Sequence, residues 1–230
     1  MIFIGTSGYA YKEWKGSFYP EDLPAKAMLR YYAEHFRAVE INNTFYKLPA
    51  PETARAWLAE VPKDFVFALK APQQITHFKR LKSAGDPTRD FLRFADGFGS
   101  RLGPLLFQLP PNMKKDVPRL AAYIKLLPRD RRVTFEFRHE SWFDDETFDA
   151  LRAHGAAVCI AESDDLETPL VSTAGWGYLR LRRAAYSPAG LKARAKDIAA
   201  QAWSDTYVFF KHEDTGTGPM FAKKLIALTG

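Results

Sequence analysis

Short apolar runs alternate with longer stretches at helical spacing along the whole chain. Eight runs are rich in aliphatic, β-branched or aromatic residues: 2–5, 38–45, 65–70, 104–109, 133–139, 156–162, 177–182 and 206–212. Each is short enough to be a strand. Between them lie helix candidates at 25–36, 51–60, 88–98, 117–127, 144–154, 188–203 and 219–228. The first carries Met28, Leu29, Tyr32 and Phe36 on one stripe. Pro51 opens the second, where a missing N–H costs nothing, and Gly155 closes the fifth. The link from the sixth strand to the seventh contains Pro169 and has no apolar stripe, so it is expected to be irregular.

Strand–helix alternation implies parallel strands joined by right-handed crossovers. Eight such units in 230 residues fit a (β/α)₈ TIM-type barrel, an α/β fold, built as one domain over 1–230. A chain of this length buries roughly 70% of its unfolded surface, so it needs no disulfide to stand. The one cysteine, Cys159, sits in an apolar run and reads as a small core residue.

Residues two apart on a strand share a face. In several runs one face stays apolar while the other turns polar near the end. Glu40, Asn42 and Thr44 share such a face in the second strand, and Lys70 ends one in the third. Gln108 does so in the fourth, Glu136 and Arg138 in the fifth, Arg180 and Arg182 in the seventh, and Lys211 in the eighth. Aliphatic side chains fill a barrel well enough, and buried charges are costly unless paired. Convergence of so many polar groups at the C-terminal end, where barrel enzymes place their chemistry, points to a site.

The residues Gly5-Thr-Ser-Gly-Tyr9 with Trp14, Glu40-Ile-Asn-Asn-Thr-Phe-Tyr46, Lys70-Ala-Pro72, Thr76-His77, Leu106-Phe-Gln-Leu-Pro-Pro111 and Glu136-Phe-Arg-His-Glu-Ser-Trp142 follow one another in the order seen in a known family. Together they make the chain similar to the YecE-like family, one of the domain families of unknown function. The resemblance implies a TIM-type barrel and no established reaction. It also implies a shared site of Glu40, Asn42, Tyr46, Lys70, His77, Gln108, Glu136, Arg138 and Trp142. Where many members have an asparagine-rich strand end, this chain has Lys211-His-Glu-Asp214.

The net charge is +6, which favours anionic partners. Lys70, Arg138 and Arg182 are expected to hold an anion, with Arg180 and Lys211 beside them, and Glu136 or Glu40 to act as base. A glycosidase needs one carboxyl protonated, and the neighbouring cations oppose that. Two loops lean the same way: Asp214-Thr-Gly-Thr-Gly-Pro219 before the last helix, and His77-Phe-Lys-Arg-Leu-Lys82 after the third strand. Tyr9, Tyr11, Trp14, Tyr46 and Trp142 are placed to stack on a ring at the mouth.

The expected function is therefore an enzyme acting on a small phosphorylated or otherwise anionic ligand at the barrel mouth. The alternatives are a non-catalytic nucleic-acid-binding module and a metal-assisted phosphoester hydrolase. No cofactor is required; Mg²⁺ or Mn²⁺ on Glu40, Glu136 and Glu162 belongs to the second alternative. The sequence begins directly with a strand-like run and has no membrane-length apolar stretch, so the expected compartment is the cytoplasm.

Overall fold

The structure is a computed structural model that describes residues 1–211 and 216–230. Eight strands alternate with helices along the chain: β1 (Ile2–Thr6), α1 (Met28–Ala33), β2 (Ala38–Ile41), α2 (Asn43–Tyr46), α3 (Pro51–Ala59), β3 (Val66–Lys70), α4 (Gly85–Asp96), β4 (Leu102–Gln108), α5 (Val117–Ile124), β5 (Val133–Glu136), α6 (Asp145–Arg152), β6 (Ala157–Glu162), β7 (Gly177–Leu181), α7 (Pro188–Ala199), β8 (Thr206–Phe210) and α8 (Thr217–Thr229). All ladders are parallel and the order is β1-β8-β7-β6-β5-β4-β3-β2. This is the TIM-type barrel that the alternation predicts. As expected, no helix separates β6 from β7.

Local chemistry sets several boundaries. Asp116 caps α5 by accepting from the Arg119 amide at 3.0 Å, and Asp144 caps α6 through the Thr147 amide at 3.0 Å. Ser187 does the same for α7, which then opens on Pro188. Two predicted strands are shorter than their apolar runs. The run 38–45 stops being strand at Ile41, because 43–46 turns into α2, and 133–139 stops at Glu136. In both, alternation of side-chain character continues past the last paired residue, so periodicity alone does not mark the strand end. Of the glycine-rich loop, Asp214 and Thr215 lie outside the described residues, as do His212 and Glu213. Gly216, at φ +67°, is the residue from which α8 starts.

The barrel interior is filled unevenly. Phe3, Tyr178, Tyr207 and Phe209 on β1, β7 and β8 supply bulk, while Ala38, Ala68, Ala157, Cys159 and Ala161 leave room for it. Cys159 is thus an interior core residue, and burial pushes its thiol pKa up. The outer strand faces pack under the helices through residues such as Phe67, Leu105, Phe107, Phe135 and Leu179.

The seam between β1 and β2 is different from the other seven. It holds one parallel bridge, Ser7 to Glu40, supported by the Gly8 amide donating to the Glu40 carbonyl at 2.8 Å. Below it, the buried Tyr32 hydroxyl from α1 stitches the gap. That oxygen accepts from the Thr6 amide at 2.8 Å and donates to the Ala38 carbonyl at 3.0 Å. Space is short there. A Cβ on Gly5 would lie 2.0 Å from the Ala38 carbonyl oxygen, and a backbone atom cannot swing aside.

Two substitutions test this seam by thermal or urea unfolding. Tyr32→Phe strands a buried N–H and a buried C=O and should cost about 1–3 kcal/mol. Gly5→Ala overpacks against backbone and should cost about 3 kcal/mol.

Candidate functional site

Strand parity brings five polar side chains into one layer at the C-terminal end of the barrel. Glu40, Lys70, Gln108, Glu136 and Arg180 come from β2, β3, β4, β5 and β7, each on the interior face of its strand. Glu40 and Glu136 are fully buried and Arg180 is 1% exposed. The Arg180 guanidinium spans the barrel. One Nη donates to Glu40 Oε1 at 2.8 Å and the other to Glu136 Oε2 at 2.6 Å. The remaining oxygens are also used: Tyr178 donates to Glu40 Oε2 at 2.7 Å, and Gln108 donates to Glu136 Oε1 at 2.9 Å.

These partners decide the protonation states. Burial opposes ionisation of Glu136, but Arg180, then Arg182 and Lys70, and the Gln108 hydrogen bond outweigh it and hold its pKa at about 2. Burial likewise opposes ionisation of Glu40, and the Arg180 charge with the Tyr178 hydroxyl brings its carboxyl below the usual range. Both are therefore carboxylates near neutral pH, and Arg180 stays charged between them.

Above this layer lie more cations. Arg182 approaches Glu136 Oε1 at 3.5 Å and Arg138 at 4.0 Å, neither making a hydrogen bond there. Arg182 Nε is buried without a partner. Lys70 is 9% exposed and sits with Nζ 3.9 Å from the Phe45 ring centre. Burial, then the Arg180 charge, lower its pKa to about 7 against the pull of Glu136 and Glu40. His77 touches the same Phe45 ring, centre to centre 4.9 Å, and shares a hydrogen bond of 2.9 Å with Thr76 Oγ1. Partial burial and the charges of Lys70 and Arg138 lower its pKa, so it is neutral at pH 7. It belongs to a π-helical turn, Gln74–Phe78, a geometry found often at functional sites.

Several expectations are corrected. Glu40 is not free to act as a base, because both oxygens are engaged and water is excluded. Glu136, with a pKa near 2, is a poor proton acceptor for the same reason: it is the counter-ion of Arg180. Arg180 itself is enclosed and is the hub of the ion-pair layer, not a ligand contact. Trp142 is fully buried, stacks on Phe137 at 4.7 Å and donates to the Met113 carbonyl at 2.8 Å, so its ring is not available for stacking on a ligand. Trp14 is buried in the same way among Tyr11, Phe18 and Tyr19. Glu162 faces out of the barrel and pairs with Arg194 and Arg183, so it does not join Glu40 and Glu136 around a metal. Among the described residues no three His, Cys, Asp or Glu side chains cluster as metal ligands.

The remaining expected residues sit at the rim. Tyr46 is 74% exposed and, with Phe78, flanks a cleft of about 370 Å³ beside Phe45, Pro72 and Gln73. Asn42 keeps both amide atoms covered and unpartnered. Lys211 is exposed, and its charge reaches Lys70. Sequence reading did not single out Tyr178 or Phe45. Tyr178 has the same parity as Arg180, two residues earlier, and that signal could have found it.

The ion-pair layer makes two measurable claims. Arg180→Met leaves two carboxylates buried without their cation and should destabilise the fold by roughly 3–5 kcal/mol. Glu136 has a folded pKa below its ordinary 4.5, so its contribution is present above that value and is lost as pH falls towards about 2. Urea midpoints of the wild type should drop across that window, and those of Glu136→Gln should drop less steeply.

The arrangement can be placed among known proteins. The family model described as "Protein of unknown function DUF72" matches residues 3–230. The Escherichia coli K12 protein named UPF0759 protein YecE is 31% identical over 144 residues, which is 62% of this chain and 50% of that protein. The Bacillus subtilis UPF0759 protein YunF is 28% identical over 170 residues, 67% of this chain and 58% of that one. The chain thus spans 50% and 58% of the length of these two relatives. Among solved structures, a DUF72 family protein of Thermotoga maritima superposes with a TM-score of 0.85 at 27% identity, covering 99% of this chain and 98% of that one. A DUF72 family protein of Enterococcus faecalis shares the fold, with a TM-score of 0.84 at 16% identity over 100% and 95% of the two chains. Among the described residues no helix is long and apolar enough to cross a membrane. With the family model matched from the third residue to the last, the chain belongs to the DUF72 family, the YecE-like group whose function is unknown.

Proposed function

We propose that this protein is an enzyme that binds a phosphorylated or otherwise anionic ligand in the mouth of its barrel. One observation carries the reading: Arg138, Arg182 and Lys70 crowd the mouth, and none of them donates a side-chain hydrogen bond to a described residue. The carboxylates below are already committed to Arg180, Gln108 and Tyr178. The layer is therefore left with cationic donors in excess. A phosphate or carboxylate supplies the missing acceptors, and guanidinium forks suit both bidentately.

In this reading Arg138 and Arg182 hold the anion, while Glu40 and Glu136 act through Arg180, fixing the floor of the site. Proton transfer falls to groups whose charge changes near neutral pH. Lys70, at about 7, meets that requirement and the two glutamates do not, while His77, its pKa lowered, is a neutral imidazole able to accept a proton. The exposed rings of Tyr46 and Phe78 are placed to cover the part of a ligand that leaves the mouth.

Calorimetric titration with inorganic phosphate and with glycerol 3-phosphate checks the reading. Wild type should bind, and Arg138→Ala and Arg182→Ala should each weaken binding about tenfold or more. Unchanged affinity in both variants refutes it. Tight binding of duplex DNA, falling linearly on a log–log plot against salt, would move the assignment to a nucleic-acid-binding module.

A further inference from the structure

We propose that Lys70 is an amine nucleophile that forms an imine with an aldehyde or ketone substrate carrying a phosphate or carboxylate group. The anionic part of that substrate class rests on the reading above; the nucleophile rests on what surrounds Lys70.

Lys70 is the last residue of β3, on the interior face, where barrel strands end at the mouth. Its backbone is fixed: the Thr44 hydroxyl from α2 donates to its carbonyl at 2.6 Å. Its amine has no carboxylate within ion-pair distance among the described residues, although two carboxylates share its layer. Arg180 has claimed both. The amine instead rests over the Phe45 ring, within reach of the Arg180 and Lys211 charges. An anion-binding role alone would be filled better by arginine, which keeps its charge when desolvated, as at positions 138 and 182. A lysine desolvated next to other cations has the reactive property arginine lacks: a lone pair at neutral pH.

A proton carrier stands beside it. His77 contacts the same Phe45 ring edge to face and feels the Lys70 charge, which with its partial burial lowers its pKa. It is held by unusual backbone. The π-helical turn Gln74–Phe78 is followed by three non-glycine residues at positive φ: Arg80 at +46°, Leu81 at +67° and Ser83 at +50°. Buried Leu81, whose amide donates to the Ile75 carbonyl at 3.0 Å, anchors that segment. Such conformations are costly and gather where side chains must be aimed.

The step balances with groups present. The Lys70 lone pair attacks the carbonyl carbon, and the C=O π pair moves to oxygen. His77 carries a proton from the nitrogen to that oxygen, which gives a carbinolamine. A proton delivered to the hydroxyl lets it leave as water while the nitrogen pair forms the C=N bond. Loss of the N–H proton returns the one supplied. One amine and one carbonyl become one imine and one water, with no change of oxidation state. Arg138 and Arg182 hold the anionic end throughout.

Reaction of the full chain with glycolaldehyde phosphate and sodium cyanoborohydride, read by intact mass and peptide mapping, tests this. The expected result is one adduct at Lys70 at pH 7, formed about tenfold or more faster than at exposed lysines, whose pKa lies near ~10.4. Its rate should be half-maximal near pH 7 in wild type, a readout independent of any variant. Lys70→Arg should lose that adduct and keep the rest. Labelling confined to exposed lysines, or a Lys70 rate that rises only near pH 10, overturns the proposal. The two readings separate cleanly. Phosphate binding in the calorimeter without labelling of Lys70 overturns the nucleophile and leaves the anion site. Labelling of Lys70 that saturating phosphate does not slow, and that unphosphorylated glycolaldehyde matches, supports the nucleophile and overturns the anion site.

Discussion

A single guanidinium, Arg180, lies across the barrel and bridges two carboxylates from strands on either side, a triad that keeps one net negative charge. Each charge in that triad would be very costly to bury alone, and together they are tolerable only because every carboxylate oxygen has a donor. The rest of the site follows from this. With every oxygen of both glutamates already accepting a hydrogen bond, Lys70, Arg138 and Arg182 feel the Glu136 charge but donate no hydrogen bond to it. The positive mouth is thus a product of the pairing beneath it. A charge pattern that would look like surplus in a list of residues becomes directional once the pairs are known.

The same triad separates roles that charge alone would merge. Glutamates in a barrel mouth suggest acid–base chemistry, yet here their low pKa values make them fixed anions. The bases left over are a lysine and a histidine, both partly desolvated with lowered pKa values and both against Phe45. Desolvation penalises the charged state of a base and favours that of neither carboxylate, so the electrostatic work is done by different neighbours in the two cases.

Much of this was legible in the sequence. Alternation of strand and helix signals defined the barrel, and period-two parity placed Glu40, Lys70, Gln108, Glu136 and Arg180 on one interior layer. Pro169 and the missing apolar stripe marked the irregular β6–β7 link. What parity could not supply was depth. It put Arg180 and Arg182 on the same face with equal standing, whereas one is enclosed and the other rises to the rim. Nor does the motif around Trp142 tell a stacking platform from a core ring, since both need an aromatic near the mouth. The strand ends at Ile41 and Glu136 were overshot because the period-two pattern runs on past them, through Asn42 and Thr44 after Glu40 and through Arg138 after Glu136.

The Tyr32 hydroxyl at the β1–β2 seam also ties the mouth of the barrel to a helix outside it. Seven of the eight junctions are ladders that two strands can form between themselves. The eighth depends on a side chain of α1, with only one bridge between the strands. Closure of the ring therefore rests on α1 as well as on the two strands, and since Glu40 lies on that seam, a change that loosens Tyr32 also loosens one end of the ion-pair layer.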